Sequence, residues 1–188
     1  MRAEVGVMRA VIVYESLFGN TREAAEAVGD GIRATDPAAR VLCVRVADVT
    51  ADLVEDADLL VVGGPTHMRA MTSGLSRKMG LQGEAKKAAD FHPEPSAAGP
   101  GLRDWFRGLP SAKPGSLAAA FDTRVDSRMA GGAAQGIARR LEGHGYGLTA
   151  KPEGFVVDDA EGPLHEGERS RAKAWGASLC LSVAMTSF

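Results

Sequence analysis

Aromatic residues are scarce in this chain, cysteines are nearly absent, and neither sign of charge dominates. Of 188 residues, 5% are Phe, Trp or Tyr and two are Cys. Cys43 and Cys180 are too few and too far apart for a disulfide framework or a thiolate zinc site. Both sit among apolar neighbours and read as buried, inert thiols. The histidines at 67, 92, 144 and 165 show no metal-ligand spacing, so no metal site is expected. Lys+Arg 22 against Asp+Glu 24 leaves a net charge of -2, with no global field to draw nucleic acid or an anionic membrane. No apolar run is long enough to span a bilayer, and MRAEVGVM at the start has no signal-like core. A cytoplasmic location is the resulting expectation.

What the chain does contain is an ordinary globular balance, 45% hydrophobic and 24% charged. Its length suits one domain over 1–188 with a single well-buried core. Strand-like and helix-like stretches alternate, the pattern of an α/β fold with a parallel sheet. Strands are expected at 9–14, 40–47, 58–63, 116–121 and 155–157. Helices are expected at 20–33, 73–88, 102–109, 130–144 and from Pro163 to about 181, with that proline in the first turn. The Pro- and Ala-rich stretch around 89–101 reads as an exposed connection. In such sheets ligands bind beyond the carboxyl ends of the strands, which selects the loops after strands one, three and four.

The first of these loops is Glu15-Ser16-Leu17-Phe18-Gly19-Asn20-Thr21, running directly into a helix. Glycine lets the backbone approach a ligand closely. The helix start adds free N–H groups and the positive end of a dipole, and Ser16, Asn20 and Thr21 add side-chain donors. The loop therefore reads as an anion site, or else as a polar turn whose helix is capped by Asn20 and Glu23 in a capping box. Other phosphate and nucleophile motifs fail. There is no Walker loop, Gly131 to Gly136 does not make a dinucleotide fingerprint, and no Gly-x-Ser-x-Gly elbow occurs. Strand three ends in Gly63-Gly64-Pro65 rather than in a phosphoacceptor aspartate.

The loop at 16–21 resembles the phosphate loop of the flavodoxin family, whose usual form is Ser/Thr-x-Thr-Gly-x-Thr. The match lies at Ser16, Gly19 and Thr21, with Phe18 in place of the middle threonine. Gly63-Gly64-Pro65-Thr66-His67 is similar to the loop that covers one side of the flavin, and 154–176 resembles the closing strand and helix. The resemblance spans about 9–182. It implies a flavodoxin-like, doubly wound five-stranded parallel sheet of order 2-1-3-4-5 with helices on both faces. It also implies FMN as cofactor. Ser16, Leu17, Phe18, Gly19, Asn20 and Thr21 would hold the phosphate. Pro65, Thr66, His67 and Met68 would lie along the isoalloxazine, and Asp122, Thr123 and Arg124 would complete its rim.

The sequence departs from that family in its ring-facing loops. Neither 64–73 nor 122–131 contains an aromatic residue, which leaves Met68, Met71 and Met129 as side chains able to cover a flat ring. His67, Arg69 and Arg124 place positive charge there, which favours a reduced, anionic flavin and a higher potential than an acidic flavodoxin has. The leading expectation is an FMN-binding carrier of electrons between redox partners, with no catalytic side chain required. One alternative is an FMN-dependent oxidoreductase of quinones or other small molecules, with His67 as proton donor. The other is a flavodoxin-like binding module without flavin.

Overall fold

The computed structural model describes residues 7–67, 70, 71, 78, 82, 99–126, 132–159 and 161–186. Seven strands form one sheet: β1 (Arg9–Tyr14), β2 (Arg40–Arg45), β3 (Leu59–His67), β4 (Ala70–Met71), β5 (Leu117–Val125), β6 (Gly147–Leu148) and β7 (Glu153–Val157). The helices are α1 (Asn20–Thr35), α2 (Ala51–Glu55), α3 (Leu102–Gly108), α4 (Ala133–Gly143) and α5 (Glu168–Thr186).

The parallel path runs β2-β1-β3-β5, and its last position is shared by two short strands. β6 pairs with Leu117 and Ala118 at the start of β5, and β7 pairs with Phe121 to Val125 at its end. The fifth strand of the expected 2-1-3-4-5 order is thus present but interrupted. β4 folds back antiparallel on the end of β3, pairing Thr66 with Met71 and His67 with Ala70.

The central strands are buried on both faces, as their apolar runs require. Alternate side chains feed two cores. Ile12, Val61, Ala119 and Phe121 pack with Phe155 under α1 and α5. Val13, Leu60, Val62 and Ala120 pack with Phe106 and Ile137 under α3 and α4. The α1 and α5 backbones nearly touch. A Cβ on Gly31 would stand 1.9 Å from the Lys173 carbonyl, and one on Gly176 would stand 2.1 Å from that of Val28. Only glycine allows that approach.

Several boundaries differ from expectation. β3 and β5 run four residues past their predicted ends, because their polar terminal residues are paired in the sheet. α5 starts at Glu168, not in the turn after Pro163. Residues before it fold back on β7 instead: Val157 bridges Leu164, and the His165 N–H donates to the Val156 carbonyl at 2.9 Å. α2, β4 and β6 are each too short to show a period in sequence. The helix expected over 73–88 lies outside the described residues apart from Lys78 and Gln82, as does the 89–101 connection before residue 99.

Cys180 is buried and Cys43 half-buried, both unpaired. Burial pushes the Cys43 thiol up to about 11, so it stays protonated near neutrality. Among the described residues, no cluster of His, Cys, Asp or Glu could hold a metal, and no helix is long and apolar enough to cross a membrane.

Candidate functional site

β1 pairs with both β2 and β3, so the chain winds away from it in two directions. That reversal opens a crevice at the carboxyl ends of β1 and β3. The register aligns the three strand ends: Tyr14 beside Gly63, Gly64 beside Asp122, and Pro65 beside Thr123. A separate open cleft of about 560 Å³, lined by Arg9, Leu42, Leu53 and Asp56 among others, lies at the opposite, amino-terminal ends of β1 and β2.

Residues 15–21 leave β1 in a tight turn. The Glu15 N–H donates to the Gly63 carbonyl at 3.0 Å. The buried Glu15 carboxylate accepts the Leu102 N–H at 2.9 Å, so it caps the start of α3. Ser16 Oγ accepts the Gly19 N–H at 3.0 Å, and Leu17 is buried. Gly19 takes the left-handed conformation at φ 95° and occupies the cap position of α1. Thr21 is buried, and its hydroxyl meets that of Thr123 at 2.7 Å.

The capping box expected from Asn20 and Glu23 does not form. Gly19 is the cap residue and has no side chain to accept a bond. The Asn20 amide instead donates to the Glu161 carbonyl at 2.9 Å, and Glu23 pairs with Arg169 at 3.2 Å. The first intrahelical bond runs from the Glu23 N–H to the Gly19 carbonyl. The start of α1 is therefore without a side-chain cap, and an opening turn of that kind directs its N–H groups and dipole outward.

On the other side of the crevice, Asp122 organises the ends of β3 and β5. Its carboxylate is wholly buried. Oδ2 accepts from the Thr66 hydroxyl and the Ala134 N–H, both at 2.9 Å. Thr66 in turn accepts the Ala133 N–H at 2.8 Å. Arg124 Nε stands 3.0 Å from Oδ1, close enough for an ion pair but not aligned for a hydrogen bond. Burial raises the Asp122 carboxyl above its usual 3.8, opposed chiefly by the Ala134 N–H and the Arg124 charge.

Ser16, Gly19, Asn20, Thr21 and Thr123 thus gather on one side, and Thr66, Asp122 and Arg124 on the other. Successive residues of β5 point to opposite faces, so Thr123 serves the first group while Asp122 and Arg124 serve the second. Leu17 faces the core, and Phe18 and Pro65 are half-buried at the loop and strand ends. His67 ends β3 in the hairpin with β4, and Met68 and Met129 lie outside the described residues. Met71, expected as a ring cover, is buried in the second core, and its carbonyl accepts two bonds from Arg103. Arg124 does not add a bare positive charge, because Asp122 offsets it. Sequence reasoning missed Glu15, the amides of Ala133 and Ala134, and the Glu161 carbonyl.

The flavodoxin family profile matches residues 12–91. No curated protein sequence matches the chain. Among solved structures, a flavodoxin from the domain Archaea shares 21% identity, covering 94% of this chain and 99% of that one at a TM-score of 0.62. Oxidised flavodoxin 1 from Bacillus cereus shares 16%, with 91% and 96% covered and a TM-score of 0.62. A flavodoxin described as WrbA-like, from Agrobacterium tumefaciens, shares 17%, with 95% and 98% covered and a TM-score of 0.59. The family match is confined to residues 12–91, and the described residues take the flavodoxin-like fold of these solved structures.

Proposed function

We propose that this protein binds FMN and carries electrons between redox partners. The observation that carries the reading is the start of α1, which has a left-handed glycine at its cap position and no side chain bonded across it. A phosphate monoester fits such a turn, since helix amides and dipole favour a dianion. The side chains of Asn20 and Thr21 are committed within the protein, and the Gly19 N–H is bonded to Ser16, so the backbone N–H groups of Asn20 and Thr21 at the opening of α1 supply donors, each worth about 1.5–3 kcal/mol to a charged group. Pro65, Thr66, His67 and Met68 would lie along the ring, with Asp122, Thr123 and Arg124 at its rim. Of these, Asp122 acts from beneath, by holding Thr66 and the start of α4 in place.

When bound, FMN supplies one- and two-electron chemistry, and the protein's part is binding, orientation and adjustment of potential. A carrier needs no acid or base from the chain.

The test is a titration of flavin-stripped protein with FMN, followed by flavin fluorescence. Saturable one-to-one quenching is expected, and no binding at micromolar FMN overturns the reading. The loaded protein is then mixed with NAD(P)H and a quinone. Slow reduction without a separate reductase is expected, whereas rapid turnover by the protein alone would make it an enzyme.

A further inference from the structure

The turn between β7 and α5 is a built element, and its tip rests on the candidate phosphate loop. Residues 158, 159 and 161–165 fold back along β7. The Asp158 N–H donates to the Pro163 carbonyl at 3.0 Å, the Gly162 N–H to that of Asp159 at 2.9 Å, and the His165 N–H to that of Val156 at 2.9 Å. Leu164 is buried in the first core and anchors the arm. At the tip, the Glu161 carbonyl accepts the Asn20 amide at 2.9 Å. Gly162 has φ 99°, and a Cβ there would stand 2.1 Å from Asn20 Oδ1 and 2.6 Å from Nδ2. The tip is thus shaped around the Asn20 amide: a carbonyl receives it and a glycine leaves it room. Near the same end of α1, the pair between Glu23 and Arg169 ties the helix to α5.

We infer that the turn at Glu161 and Gly162 holds the first turn of α1 in place through Asn20, which makes Asn20 a positioning residue for the phosphate rather than a ligand to it. The inference rests on the FMN reading for its consequence, but the coupling between turn and helix stands on the geometry alone. Because the amide is spent on a carbonyl 141 residues away, the phosphate must be met by backbone groups whose direction the turn controls. Any side chain at 162 pushes the Asn20 amide aside and strains the left-handed backbone. Loss of the Asn20 amide frees the helix start from the turn.

The experiment compares the full-length protein with Asn20→Ala, Gly162→Ala and the double variant, each titrated with FMN and with riboflavin, which lacks the phosphate. Loss of one hydrogen bond's worth of positioning corresponds to about 5–10-fold in affinity. Both single variants are expected to weaken FMN by that factor and leave riboflavin unchanged, and the double variant no more than the stronger single one. Weakening by Asn20→Ala with Gly162→Ala like wild type would make Asn20 a direct ligand and overturn the inference. Equal weakening of FMN and riboflavin would overturn it too, as general loosening.

Amide hydrogen exchange over Thr21 to Ala24 in flavin-free protein gives a second readout, with a rise of about tenfold expected in Gly162→Ala. Unchanged exchange overturns the coupling. If wild type binds no FMN but exchange rises, the functional proposal falls while the coupling survives.

Discussion

The two sides of the crevice are built from opposite materials. Apart from Glu15, which is turned away to cap α3, the joins around the first loop are neutral: a serine hydroxyl to an amide, two threonine hydroxyls to each other, and an asparagine to a carbonyl. Across the crevice one buried carboxylate gathers a hydroxyl, a helix amide and a guanidinium. Distributed neutral bonds each contribute about 1 kcal/mol and fail one at a time. A single buried charge strands every partner when it goes. The first side is therefore expected to be tolerant and nearly independent of pH, and the second brittle and responsive to it.

The largest effect expected is that of Asp122→Ala. It leaves Thr66 and Ala134 without their acceptor and Arg124 without its counter-charge, and urea unfolding is expected to show a loss of about 3–5 kcal/mol. A loss under about 1 kcal/mol would erase the contrast between the two sides. Next comes Thr21→Val, which buries an unmatched Thr123 hydroxyl and is expected to cost about 1–3 kcal/mol. Adding Thr123→Val should return part of that loss, because neither orphan then remains. A strictly additive pair in the same unfolding assay would show that the hydroxyls do not depend on each other.

Acid titration separates two carboxylates whose shifts have opposite sign. Burial raises Asp122 above 3.8 in the folded state. Between 3.8 and that raised value the folded form holds more protons than the unfolded one, so its contribution falls as pH rises. The advantage of wild type over Asp122→Asn should therefore grow as the solution is acidified. Glu168 is lowered from 4.5 by the Arg171 hydrogen bond, so its contribution is present above 4.5 and disappears as pH falls through the lowered value. The advantage over Glu168→Gln should shrink on acidification. Parallel slopes for the two variants would contradict this.

The smallest effect belongs to the turn at 158–165. The Asp158 hydrogen bond and charge raise the exposed His165 above its ordinary value, and Asp158→Asn should lower its midpoint in a proton NMR titration. Exchange over the start of α1 should not follow that midpoint, since Asn20 is held by a carbonyl.

Much of the sheet was legible because 10–13 in β1 and 59–62 in β3 are short apolar runs, rich in β-branched residues and bounded by polar or turn residues. The ends were less so. Asp122 and Thr123 continue β5, but nothing local shows that a polar pair is paired and buried. Asn20 illustrates the limit well. Its type and place suit a cap or a phosphate, and its partner is a backbone carbonyl, which has no signature in sequence. Pro163 carried a true signal for a chain reversal that was assigned to the wrong structure, a fold-back on β7 rather than a helix start.

The sheet divides the interior into two cores, and the chain's two tryptophans fall one to each. Trp175 stands edge-on to Phe121 and Phe155 under α1 and α5, whereas Trp105 packs beside Phe106 under α3 and α4. Each layer therefore has its own optical reporter. In single-tryptophan versions, the emission of one residue follows the layer that carries the arm over α1, and that of the other follows the layer capped by Glu15. Because β1, β3 and β5 are walls of both layers, the two signals should change together during unfolding.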